Sequence, residues 1–464
     1  MKIVCRILIL FLFSFEAKGV ETFLAGEKIK KILLPLNSQA GFSLRDLSGK
    51  EIFEWHGLNS YPPASVSKMV SSACAMRTLT PQFQFETIFG HTGVIQNGVL
   101  TGDLVLVGSG DPSFVVEDLK EALERLFVVH GIHSIVGNIV FDASFLGTKT
   151  LPLSDEFDGD HGRAFTADLT AMPFDFNSFA LWVVPQNGEV RIQILPKDSL
   201  NLKIVNQVKI TRSGGTEVVA DYRPDDGKVV VSGKMVEGSE AKQIRRSLPD
   251  PYASLSQTML RIWRELGGEW KSPLFRVETK PFSFQRIDSV LSRAISQQFL
   301  AINKLSTNFG AEMILLAAGA QEFGRPTNFE KSRLVLQNCL KTFDISPVQI
   351  TLENASGLSH TSTMQPSGLT LFLAKLSKVD FWAEYLSTLS TIGRDGTYRA
   401  RLQEIAGRAR VKSGSLKGVN TLAGYVFPLN KEAKAFSLFF KCPNCDLPKL
   451  HKMEDDILKI LAES

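Results

Sequence analysis

The stretch "YPPASVSKMVSSACAM", residues 61–76, sets Ser65 and Lys68 three apart, directly after Pro62 and Pro63. From residue 65 to 79 the chain lacks Gly and Pro and can form a helix. At i and i+3 on a helix the two side chains share a face. A serine in the first turn sits at the positive end of the helix dipole, which favours the oxyanion formed when it attacks a carbonyl. A lysine serves as its base once desolvation or a nearby cation lowers its pKa. Alone, the pair reads better as a helix cap beside a solvated lysine, because chance S-x-x-K matches are common.

The chain has 464 residues, 44% of them hydrophobic and 22% charged, enough for two or three domains with sizeable cores. The formal charge of +4 is small, and no Lys/Arg stripe with interleaved aromatics suggests nucleic-acid binding. "MKIVCRILILFLFSFEAKGVE" opens with Lys2, continues with an apolar run and ends on small residues. This is the layout of an export signal over residues 1–19, cleaved after Gly19. The uninterrupted apolar run from Ile7 to Phe15 is far short of the ~20 residues a spanning helix needs. A periplasmic or extracytoplasmic location, with no membrane span after cleavage, is therefore expected. Cys442 and Cys445 in "KCPNCDL" can close a small disulfide in an oxidising compartment. A zinc site would need two further ligands, and the other mature cysteines, Cys74 and Cys339, are read as isolated.

"AGFSLRDLSGKEIFEWH", residues 40–56, reads as two strands around a Ser-Gly turn. Between about 90 and 280, β-branched residues alternate with Asn-Gly, Asp-Gly and Ser-Gly turns, the pattern of hairpins. One helix interrupts them, "VEDLKEALERLFVVHG", ending at Gly131. Helices return from about 285, followed by adjacent strands across residues 408–442 and a last amphipathic helix, "HKMEDDILKILAE". The expected fold is α+β: a domain of residues 20–88 and 285–464, split by a β-rich insertion over 89–284 that holds one or two small modules.

Two further motifs strengthen the first. "NKLSTNFGAE" places Ser306 and Asn308 at S-x-N spacing before a helix, and "RVKSGSLKG" places Lys412, Ser413 and Gly414 as a K-S-G triplet in a strand-like run. S-x-x-K, S-x-N and K-[S/T]-G in this order form the signature of class A β-lactamases and penicillin-binding proteins. The chemistry explains the residue types. Ser65 attacks a peptide carbonyl and becomes acylated, and Lys68 takes its proton. Ser306 relays a proton to the leaving amine, and Asn308 holds Lys68 and the substrate amide. Lys412, Ser413 and Ser415 bind a terminal carboxylate, and Gly414 lets substrate lie flat on the strand. The backbone N–H groups of Ser65 and Ser415 form the oxyanion hole.

The chain resembles the class C low-molecular-mass penicillin-binding proteins, the D-alanyl-D-alanine carboxypeptidases/endopeptidases. Beyond the three motifs the resemblance includes "LTGDLVLVGSGDPSF", "GIHSIVGNIVFDASFLG", "ASGLSHTSTMQPSGL", "TIGRDGTYRARL" and "KSGSLKGVNTLAGYV". About 240 residues separate Ser65 from Ser306, room for the insertion of that family. The resemblance implies an antiparallel sheet flanked by helices, peptidoglycan stem peptides as substrates, β-lactams as covalent inhibitors and no cofactor or metal. It also implies that the "LSDEFDGDHG" region faces the stem, with Asp158 or Asp160 in contact; the residues themselves read as an acidic surface loop. His360 stands where the family pattern carries an arginine that binds a stem carboxylate. A β-lactamase would need a deacylating base such as the Glu of an E-x-x-L-N element, and none follows Ser306. A non-catalytic wall-binding protein would have lost Ser65, Lys68 or Lys412, and all three are present. The other six histidines match no catalytic or metal motif.

Overall fold

The computed structural model describes residues 24–153, 162–195, 202–223, 227–271 and 273–464. The expected export signal, and Asp155, Asp158 and Asp160 of the acidic loop, lie outside them. The described residues form two compact units, those up to 81 with 296–307 and 332–464 in one, and those of 82–295 with 308–331 in the other.

The first unit is built on a six-stranded sheet. Its order is Glu51–Trp55, Ala40–Asp46, Lys434–Lys441, Val419–Val426, Ala409–Leu416, Ser390–Thr391. Every neighbouring pair is antiparallel. Alternation along the strands divides the faces. Phe42, Leu44, Val411, Leu422, Phe436 and Leu438 point to one side, where they pack with Ile29 and Leu33 and with Ile457, Leu458 and Leu461 of the closing helix Leu447–Glu463. Ser43 points the other way and hydrogen-bonds Thr370 at 2.7 Å, and Ser437 donates to the carbonyl of Pro366 at 2.8 Å. Both partners belong to the helix Pro366–Leu376, begun by a proline whose missing N–H costs nothing there. The helix Ser67–Leu79 is buried almost all round. A disulfide ties its Cys74 to Cys339 of the helix Phe329–Thr342. The two cysteines look isolated in the sequence; with a sequence separation of 265, only the folded chain reveals the pair. Cys442 and Cys445 are also joined.

The second unit is β-rich, and its pairing is not simply a run of hairpins. Leu104–Val107 runs parallel to Ile139–Asp142, which runs parallel to Phe275–Glu278. The helix Val116–Val128 lies between the first two in sequence, supplying the crossover that parallel neighbours need. Two three-stranded sheets face each other through Phe179, Leu181, Val183, Tyr222, Val229 and Val231.

Candidate active site

The site begins at the turn carrying Ser65. Ala64–Val66 form a single 3-10 turn, and the α-helix starts only at Ser67. Ser65 therefore stands just ahead of the helix rather than in its first turn. Ala64 holds φ at +48°, a left-handed conformation that costs a residue with a side chain of order 1 kcal/mol. The surroundings hold it there: Thr421 Oγ1 donates to the Pro63 carbonyl at 2.9 Å, and Tyr61 and Met364 exchange backbone hydrogen bonds at 3.0 and 2.9 Å.

Lys68, one turn on and fully buried, donates from Nζ to Ser65 Oγ at 3.0 Å and to the Ser356 carbonyl at 2.8 Å. Among the described residues Lys68 is the one hydrogen-bond partner of the Ser65 hydroxyl. The loop holding Ser356 is fixed by Ser71 Oγ, which donates to the Ala355 carbonyl at 2.9 Å. It is also drawn tight at Gly357, whose φ is +78° and where a Cβ would come within 1.8 Å of the Ala64 carbonyl. Only glycine fits.

Ser306 follows the helix Ile295–Leu305 with φ at +61°. That helix is anchored by Asn303, whose side-chain amide donates to Ser72 Oγ at 3.2 Å and Thr388 Oγ1 at 2.8 Å. Lys412 donates from Nζ to Ser306 Oγ at 2.9 Å and to the Ser413 carbonyl at 2.7 Å. It is 1% exposed, and burial pulls its pKa down to about 7. Two Ser–Lys pairs thus form, one across the start of the helix and one between a helix end and a strand.

Gly414 explains how closely strand and turn approach. A Cβ there would lie 2.4 Å from Thr421 Oγ1, 2.7 Å from the Ser65 nitrogen and 3.0 Å from Ala64 Cβ. The absent side chain makes room for the Ser65 turn, and Gly414 itself borders the cleft. Ser413 and Ser415 alternate onto the other face, where Ser413 Oγ contacts Thr397 Oγ1 at 3.2 Å.

A cleft of about 340 Å³ opens here, lined by Ser65, Ser306, Ser413, Gly414 and Ser415. Lys68 and Lys412 lie behind it, each bonded to a serine of the lining. His360 is exposed and lies apart from the lining. Asn308 is the buried first residue of the helix Asn308–Phe323, which belongs to the second unit. Among the described residues no group of three or more His, Cys, Asp or Glu side chains is placed to hold a metal ion.

The cleft also takes in residues to which the sequence assigns no role in the site, Thr397, Tyr398, Arg401, Asn420 and Glu454, together with His451, one of the six histidines without a motif. Glu454 is 1% exposed. It accepts from Asn420 Nδ2 at 2.9 Å, from the Tyr398 hydroxyl at 2.9 Å and from Arg401 Nη2 at 3.2 Å. Burial pushes its carboxyl up to about 7, against the pull of Arg401. The sequence did carry a signal. Glu454 occupies the apolar stripe of its helix, between Leu450 and Met453 on one side and Ile457 and Leu458 on the other, and a buried acid needs partners.

Comparison with known proteins follows the same lines. The D-Ala-D-Ala carboxypeptidase 3 (S13) family matches residues 27–463. The D-alanyl-D-alanine carboxypeptidase DacB of Haemophilus influenzae is 26% identical over 418 residues, covering 88% of this chain and 86% of that protein. The crystal structure of penicillin binding protein 4 (dacB) from Haemophilus influenzae superposes with a TM-score of 0.78 at 24% identity, over 92% of this chain and 96% of that one. The same protein complexed with a β-lactam gives a TM-score of 0.73 at 23% identity, with the same coverage.

Proposed function

This chain belongs to the D-Ala-D-Ala carboxypeptidase 3 (S13) family of serine peptidases, and from that premise we propose that it cleaves D-alanyl-D-alanine ends and cross-links of peptidoglycan stem peptides through an acyl-enzyme on Ser65. The observation that carries this reading is the contact of the buried Lys68 amine with the Ser65 hydroxyl at 3.0 Å. A neutral amine at that distance accepts the serine proton as Ser65 Oγ bonds to the carbonyl carbon. The carbonyl oxygen takes up charge between the Ser65 and Ser415 N–H groups. As the C–N bond breaks, the leaving amine receives a proton from Ser306, resupplied by Lys412 at 2.9 Å. With a pKa of about 7, Lys412 can both give and recover that proton near neutral pH. Water then attacks the ester carbonyl and gives a proton through Ser306 to the now neutral Lys412, while Lys68 returns its proton to Ser65 Oγ and the acid is released. β-Lactams acylate Ser65 by the same first step and lack a diffusible leaving amine, so the ester persists.

Location outside the cytoplasm is part of the proposal. It is supported by the export-signal pattern of the first residues and by the two disulfides, which last in oxidising compartments. No described helix is long and apolar enough to cross a membrane. The function is tested by incubating purified protein with a stem pentapeptide ending in D-Ala-D-Ala and with a cross-linked dimer, then weighing the products. Release of D-Ala and of monomer, lost in Ser65→Ala, supports the reading. An intact peptide and dimer, or cleavage that survives Ser65→Ala, overturns it.

A further inference from the structure

Lys412 sits poorly for the role of carboxylate anchor that its motif suggests. It lies behind the cleft rather than in its lining, and its amine is engaged by Ser306 Oγ and by the Ser413 carbonyl. The cleft nevertheless holds one permanently charged cation. Arg401 lines it together with Ser413 and Ser415.

The guanidinium is fixed from one side. Nη2 makes all of its described hydrogen bonds, to Asp455 Oδ1 at 2.7 Å, the His451 carbonyl at 3.0 Å and Glu454 Oε2 at 3.2 Å. Its Cζ lies over the Tyr398 ring, 4.4 Å from the ring centre. Nε and Nη1 have no hydrogen-bond partner among the described residues, and neither is sealed from solvent. A guanidinium held rigid through one nitrogen, with the other two unoccupied, is a preorganised fork for a carboxylate.

We propose that Arg401 is the cation that recognises the carboxylate of the leaving residue, with the Ser413 and Ser415 hydroxyls beside it, and that Glu454 positions it. Lys412 is then left to the proton relay through Ser306. The proposal rests on the function inferred above. The cluster facing Arg401 carries two acids, Glu454 and Asp455, and His451, whose imidazole burial and Arg401 hold below its ordinary range. A carboxylate therefore meets a guanidinium already oriented rather than a bare positive patch.

The test compares two substrates that differ only at the leaving residue: a peptide ending in D-Ala-D-Ala as the free acid, and its C-terminal amide. kcat/KM is measured for both in wild type, Arg401→Gln, Arg401→Lys and Glu454→Gln, and the acid-to-amide ratio is compared. Misfolding lowers both activities together and leaves the ratio alone. A charge-assisted fork removed from one substrate only lowers the ratio by roughly 10- to 100-fold in Arg401→Gln, carried mainly by KM. Lysine, keeping charge without the fork, falls between. Glu454→Gln lowers the ratio less than Arg401→Gln does. An unchanged ratio in Arg401→Gln overturns the proposal; if that variant cannot be purified, an unchanged ratio in Arg401→Lys does so. Wild-type labelling by fluorescent penicillin, run in parallel, separates the two levels. Labelling with an unchanged ratio rejects only the role of Arg401, whereas a wild type that neither labels nor cleaves rejects the proposed function with it.

Discussion

Gly414→Ala is the substitution whose effect the geometry specifies most narrowly. The added methyl carbon would stand 2.7 Å from the Ser65 nitrogen and 2.4 Å from Thr421 Oγ1. Ordinary contact begins at 3.4 Å, so the turn must retreat by about 0.7 Å and the threonine by about 1.0 Å. The threonine cannot simply rotate away, because its hydroxyl holds the Pro63 carbonyl at 2.9 Å and so fixes the start of the same turn. Both movements pull Ser65 from Lys68 and shift one donor of the oxyanion hole. Overpacking of this kind costs about 1–3 kcal/mol of stability. A misplacement near 1 Å at the reacting atoms costs roughly 100-fold in rate. The assay is the second-order rate constant for acylation by a fluorescent penicillin, with folding followed by thermal melting. Gly414→Ala should remain folded and acylate about 100-fold more slowly. Lys417→Ala, at the exposed turn of the same hairpin, should stay within about 2-fold of wild type. A folded Gly414→Ala that acylates at the wild-type rate would refute the claim that strand and turn are packed this closely.

Other outcomes follow from the same structure. Lys412 has its pKa lowered from 10.5 to about 7, so below pH 7 its burial costs folding at most about 5 kcal/mol, a cost that disappears as pH rises towards 10.5. Lys412→Met should therefore be more stable than wild type near pH 6 by chemical denaturation, with the gap closing by pH 10; a constant gap would contradict this. Glu454 has its pKa raised from 4.5 to about 7, so it lowers wild-type stability as pH climbs through that window, by at most roughly 3 kcal/mol. Glu454→Gln should flatten the pH profile between 4.5 and 7, and an unchanged profile would place the titration elsewhere. The Cys74–Cys339 bridge closes a span of 265 residues, so the Cys74→Ser, Cys339→Ser pair should lose about 2–5 kcal/mol in denaturant melts, and an unaltered midpoint would deny the bridge a stabilising role.

The parts of the site that could be read from the chain are those made of neighbours in sequence. Ser65 and Lys68 share a turn, Ser306 follows a helix end, and Lys412 to Ser415 form a strand, so short motifs carry them. The strands Ala40–Asp46 and Glu51–Trp55 were likewise visible, because a Ser-Gly turn joins them directly. What stayed hidden depends on distant segments meeting. Cys74 finds Cys339 only after folding. Leu104–Val107 and Ile139–Asp142 look like hairpin strands until the helix between them forces a parallel pairing. Arg401, Asn420 and Glu454 come from a loop, a strand and the closing helix, and no spacing rule links them. The left-handed backbone at Ala64 and Ser306 carries no glycine or asparagine to announce it; tertiary contacts impose it.

The most direct measurement is the mass of the intact protein after exposure to benzylpenicillin, followed by peptide mapping. The account predicts one stable penicilloyl adduct, located on the peptide that contains Ser65 and absent from Ser65→Ala. An unmodified protein, or an adduct that persists in Ser65→Ala, would contradict it.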